Sequence, residues 1–141
     1  MSRRTRLALT AATAVLVAAA PASAATRHVA PGGTGAAPCT DAAAPCPPAA
    51  GLASAQAGDT VMFAGGLYGL GMSGVAPPVP LTVTARPGEA VILRHAGGGP
   101  AWTVSGPGNV IDGVTIANTG AGPALAATPG AEVTVRRATL D

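Results

Sequence analysis

The C-terminal third of the chain repeats itself. Val-Ile-Asp-Gly-Val-Thr-Ile at 110–116 is followed 24 residues later by Thr-Val-Arg-Arg-Ala-Thr-Leu at 134–140. In that register Ile111 matches Val135, Val114 matches Ala138, Thr115 matches Thr139 and Ile116 matches Leu140. A period of about 20–50 residues marks stacked units, each too small to bury its apolar face alone. The unit here is a short β-branched strand, a turn and a second strand. That pattern favours a β-solenoid over a helical array. Pro-Gly pairs at 87–88, 107–108 and 129–130 recur at spacings of 20 and 22, each between two short apolar runs. The spacing leaves room for about three to four coils. Spacing alone does not fix strand direction, so an antiparallel sandwich with short hairpins satisfies it too.

Composition supports a narrow core. Phe63, Tyr68 and Trp102 are the only aromatic residues, while Gly numbers 20 and Pro 14. High Gly and Pro content without order suggests disorder. The clustered Val, Ile and Leu after residue 60 do not fit that description. Small β-branched residues suit thin layers of stacked strands. The expected strands are 27–29, 60–64, 81–85, 90–94, 101–105, 109–117, 124–127 and 132–140, the two longest, 109–117 and 132–140, carrying the strand–turn–strand unit. Pro47-Pro48 followed by Leu52, Ala53 and Gln56 predicts a short helix over 48–57, with Gly58 as its stop.

Residues 1–24 read as an export signal: Arg3, Arg4 and Arg6, an apolar stretch from Leu7 to Ala20, and Ala22-Ser23-Ala24 at the cleavage point. The stretch is shorter than the roughly 20 residues of a membrane span. Arg3-Arg4 hints at the twin-arginine route, but Arg6 stands where that signal usually has an apolar residue, which favours ordinary bacterial export and an extracellular destination. With no Cys near the cleavage point and no further span, no membrane attachment is expected afterwards. Cleavage removes three of the eight cationic side chains and none of the six acids, so five face six and the net charge is −1. Five scattered Arg make no phosphate track, which excludes nucleic acid as a partner class. Cys39 and Cys46 fall in the exported part and are most simply a disulfide. The chain thus divides into a leader (1–24), an N-terminal cap with the helix and disulfide (25–58) and the coils (59–141).

The stretch from Arg27 to Tyr68 resembles the N-terminal cap of secreted right-handed parallel β-helix proteins of the pectate-lyase-like superfamily. The matching residues are His28-Val29-Ala30 before a Gly-rich turn, the cysteine-stapled segment, the cap helix, Gly58-Asp59-Thr60-Val61 and Gly66-Leu67-Tyr68. Val110 to Ile116 is similar to the superfamily's coil consensus. The resemblance implies an all-β, right-handed parallel β-helix with a short cap helix. Such proteins usually have many coils and a closed far end. Here the sequence reaches Asp141 directly after a coil strand, which reads as a fragment of a longer protein rather than a short solenoid that dimerises end to end.

Relatives on this scaffold process or bind polysaccharide with acids, basic residues and sometimes calcium. Calcium is implied only by the resemblance, and no cofactor follows from the residues themselves. Asp112 and Arg136 lie 24 apart and align on one face, where they suit an anionic sugar. The plainer reading has both solvated, with Asp112 in an Asp-Gly bend. Trp102 and Tyr68 are stacking candidates for a sugar ring, although alternation serves equally to put Trp102 in the core. Arg94-His95 ends a strand before three glycines, and a lone His there is more simply a surface group. Arg136-Arg137 is a candidate grip on a uronate carboxylate. Asp59 reads as a cap for backbone amides in its turn. Asn109 and Asn118 are candidates for stacked asparagine ladders. No nucleophile motif, zinc signature or phosphate loop is present. The expectation is therefore an exported, non-catalytic scaffold or carbohydrate-binding module that binds polysaccharide, with oligomeric state open. The alternative is the N-terminal part of a polysaccharide lyase or glycoside hydrolase acting on acidic polysaccharide.

Overall fold

The computed structural model describes residues 23–69 and 79–141. The stretch 1–24 expected to be an export leader, apart from its last two residues, and most of the loop expected over 69–80 lie outside the described residues. The elements in chain order are β1 (Thr26–Val29), α1 (Pro48–Ala53), β2 (Thr60–Phe63), β3 (Gly66–Gly69), β4 (Thr82–Ala85), β5 (Val91–His95), β6 (Trp102–Val104), β7 (Asn109–Asp112), β8 (Thr115–Asn118), β9 (Leu125–Ala127), β10 (Val133–Arg136) and β11 (Thr139–Leu140). No helix among the described residues is long and apolar enough to cross a membrane.

The strands form three sheets, ordered β1-β2-β4-β7-β10, β3-β5-β8-β11 and β6-β9. Every pairing between these strands is parallel. The chain visits the sheets in rotation, so the fold is an all-β parallel solenoid of about three turns. Parallel ladders exclude the antiparallel sandwich. The register expected from sequence is the observed one: Ile111 pairs with Val135, and Ile116 with Leu140.

Side-chain alternation then builds the core. In the first sheet, Val61, Val83, Ile111 and Val135 form one inward column. In the second, Tyr68, Leu93, Ile116 and Leu140 do the same. Trp102 and Val104 close the third side. Gly113 has φ +71°, a left-handed bend that separates β7 from β8. Arg137, 24 residues on, has φ +45° and separates β10 from β11 in the same way. A non-Gly residue tolerates that region poorly, so the repeated bend is imposed by the coil rather than by Arg137 itself.

The cap departs from simple repetition. Arg27 occupies the first inward position, opposite Val61. It is buried there because Asp59 meets it. Cys39 and Cys46 are bonded, with sulfurs 2.14 Å apart. Their loop pairs with β1: His28 N–H donates to Cys39 O and Cys46 N–H to His28 O. The helix expected over 48–57 ends at Ala53. Ser54 Oγ donates to Gly51 O, and the Asp59 carboxylate accepts the Gln56 amide. These competing bonds draw residues 54–59 into a turn instead of a further helical turn.

Candidate functional site

Charged side chains gather, among the described residues, at the corner where the first sheet hands over to the second. β4 ends in Arg86-Pro87-Gly88-Glu89, β7 in Asp112-Gly113, and β10 in Arg136-Arg137. Because these ends share a register, their side chains gather along one edge of the solenoid. A shallow cleft of about 290 Å³ runs between them, lined by Arg86, Pro87, Glu89, Gly113 and Arg137 among others.

Asp112 faces Arg136 in the ladder, as its spacing predicts. The ion pair, however, goes to Arg137. Arg137 Nε donates to Asp112 Oδ1 at 2.8 Å, and Nη2 donates to Oδ2 at 2.6 Å. This is a two-pronged guanidinium–carboxylate contact. The left-handed bend turns Arg137 back over the strand beneath, whereas Arg136 stays exposed on the outer face. Hydrogen bonding by Arg137 holds the Asp112 carboxyl below its usual 3.8; slight desolvation opposes this, and the charges of Arg137 and Arg136 add to it. The Arg137 side chain remains 79% exposed. Glu89 accepts the Gly65 amide and lies 3.5 Å from Arg86 Nη1. Arg86 and Glu89 had no place in the sequence reading, since no repeat aligned them with Asp112. Arg137 is one of the two residues the sequence offers as a carboxylate grip, but its place one repeat beyond Gly113, at the bend, makes it, rather than Arg136, the partner of Asp112.

Other candidates resolve into structural roles. Trp102 is 4% exposed and packed in the core, so its ring offers no platform to a sugar. Tyr68 is also in the core, edge-on to Phe63 at 5.1 Å, with its hydroxyl donating to Ala64 O at 2.6 Å. Burial, with a smaller push from Glu89, raises its phenol to about 12. His95 ends β5, a strand that leads away from the charged corner, so it does not join Asp112. Asn109 and Asn118 do not stack on one another. Asn109 pairs in register with Val133, and Asn118 with His95. Each instead satisfies backbone groups alone: Asn109 Nδ2 donates to Ser105 O and Gly106 O, and Asn118 Nδ2 to Gly99 O.

Asp59 is a cap, as its turn suggests, and more besides. Its oxygens accept the amides of Ala25 at 2.7 Å and Gln56 at 2.9 Å, together with Arg27 Nε at 2.9 Å. Burial by itself would raise this carboxyl; the two amides and the Arg27 guanidinium outweigh it and hold it below 3.8. This buried pair locks the cap and presents nothing to solvent. Among the described residues no three His, Cys, Asp or Glu side chains converge as a metal set. A second cleft, between Pro31, Pro47, Pro48, Leu67 and Tyr68, has no charged residue in its lining. The chain matches no family model, no curated protein and no solved structure.

Proposed function

We propose that this protein is an exported, non-catalytic β-solenoid that binds acidic polysaccharide along its charged corner. The observation that carries this reading is that half-buried Arg86 and exposed Arg137 line one shallow cleft, with exposed Arg136 next to Arg137 at the same strand end. Arg137 spends its Nε and Nη2 on Asp112, which fixes the guanidinium plane and leaves its Nη1 edge for a uronate carboxylate. The outward column of the first sheet adds hydroxyl groups from Thr60 and Thr82 on neighbouring strands and from Thr134 two strands further on, with Val110 between. The acids at the corner are engaged with Arg or with a backbone amide, which suits holding a ligand better than transferring its protons. The cap and coil residues that resemble the pectate-lyase-like superfamily place acidic polysaccharide first among ligands. The cysteine pair fits an oxidising, extracellular setting.

Affinity electrophoresis in gels containing polygalacturonate or a neutral glucan, with and without calcium, tests the proposal. Retardation in the acidic gel alone is expected, weakened in an Arg86→Ala/Arg137→Ala variant. Equal mobility in all gels refutes binding. Accumulation of ultraviolet-absorbing unsaturated sugars would replace this reading with the lyase.

A further inference from the structure

We propose that Asp112-Gly113 is a latent isomerisation site in the backbone, guarded by Arg136 and Arg137 of the next coil. The sequence holds one Asp-Gly pair and no Asn-Gly pair. Glycine has no Cβ to shield its amide nitrogen, so the preceding carboxyl can reach it. In the reaction Gly113 N attacks Asp112 Cγ. A C–N bond forms, the amide hydrogen leaves with the carboxyl OH as water, and a five-membered succinimide ring closes. Water then opens the ring at either carbonyl. Opening at the former backbone carbonyl leaves the chain running through the side-chain carboxyl, an isoaspartate with one more carbon in the backbone.

Ring closure has three requirements, and the structure opposes each. The departing oxygen must carry a proton. Arg137 Nε donates to Asp112 Oδ1 at 2.8 Å and Nη2 to Oδ2 at 2.6 Å, which holds both oxygens as a carboxylate. The amide must release its proton. Gly113 N–H donates to Arg136 O at 3.1 Å and is engaged. Backbone and side chain must also rotate until the nitrogen meets Cγ. Asp112 is laddered on both sides, to Thr84 and to Arg136, and its side chain is only 17% exposed. All of these restraints but the ladder to Thr84 come from Arg136 and Arg137.

The identity of residue 137 points the same way. It follows Arg136 as Gly113 follows Asp112, and it shares the left-handed backbone, φ +45° against +71°. Glycine suits that conformation and arginine does not. A strained residue persists where its side chain has a task. An ion pair whose arginine is 79% exposed adds little to folding, so stability does not account for arginine at this bend. What the bend achieves is to aim a guanidinium back across one strand, onto the carboxylate beside the vulnerable bond.

Long incubation of the purified chain at neutral pH, followed by peptide mapping with fragmentation that separates isoaspartate from aspartate, tests this. The folded chain should form isoaspartate at position 112 far more slowly than the same chain in denaturant. Arg137→Ala and Arg137→Gly should each accelerate it about two- to fivefold, the factor lost with a fork as strong as an exposed ion pair. Arg137→Gly separates guarding from folding. Glycine suits the bend, so the melting temperature followed by circular dichroism should hold while isoaspartate accumulates faster. Equal rates in the folded and denatured chain overturn the proposal. So does a folded variant no faster than the parent, or acceleration only in step with a falling melting temperature.

Discussion

Replacing Asp59 with Asn should cost about 3–5 kcal/mol of folding stability, because the carboxylate is the counter-charge of a buried arginine. Arg27 fills an inward position of the first coil, and its guanidinium meets Asp59 Oδ2 through Nε at 2.9 Å and Nη2 at 2.8 Å. The same carboxylate accepts the amides of Ala25 and Gln56. Asn is nearly the same size, and its oxygen in the Oδ2 place would keep the Arg27 and Gln56 donors. Its NH2 group would then confront the Ala25 amide, donor against donor, and the buried Arg27 charge would stand without a counter-charge. Stranding one member of a buried pair costs about 3–5 kcal/mol, out of a total of about 5–15 for a domain. At roughly 3–5 °C per kcal/mol, the melting temperature should fall by about 10–20 °C in differential scanning calorimetry. Adding Arg27→Met removes the stranded charge and should recover at least half of the loss. The effect has a defined pH sign. The folded carboxyl lies below its unfolded value, so its stabilisation is present above about pH 4 and is lost as pH falls through the folded value. The gap between the parent and Asp59→Asn should narrow under acid. A loss below about 1 kcal/mol at pH 7, or no recovery with Arg27→Met, would refute the reasoning.

Three further outcomes follow from the core. Ile111→Ala, in the middle of the inward column, should cost about 2–5 kcal/mol by chemical denaturation. Gly51→Ala should destabilise, against the helix propensity that favours Ala by about 1 kcal/mol. A Cβ at Gly51 would lie 2.1 Å from Val29 Cγ1, a stiff and fully buried methyl; a gain in stability would contradict the packing of α1 on β1. Ultraviolet titration should show the Tyr68 phenol ionising near pH 12 rather than 10. Its raised value adds stability below pH 10 that is lost as pH rises through about 12, so a midpoint near 10 in the folded chain would contradict its burial.

The coil architecture is legible in the sequence because stacking repeats the same chemistry at the same spacing. Ile111 and Val135, or Ile116 and Leu140, are alike because each fills the same place in successive layers. The charged corner was less legible. Asp112 and Arg136 are true ladder partners, yet the ion pair forms with Arg137, since a single left-handed residue redirects a side chain without changing the register. Trp102 lies in a strand of three residues, too short for alternation to give it a side. The bond from Arg27 to Asp59 spans 32 residues across the whole cap, and no local pattern connects them. The Gln56 amide's bond to Asp59 and the Ser54 hydroxyl's bond to Gly51 O also set where α1 stops, which is why helical propensity beyond Ala53 had no effect.

Methyl–methyl nuclear Overhauser contacts along Val61, Val83, Ile111 and Val135 test the layered stacking most directly. The structure requires strong contacts between successive members of that series and none between Val61 and Val135, with amide contacts of the parallel type between β7 and β10. Cross-strand Hα–Hα contacts between those two strands, which mark antiparallel pairing, or the absence of an Ile111–Val135 contact, would contradict it.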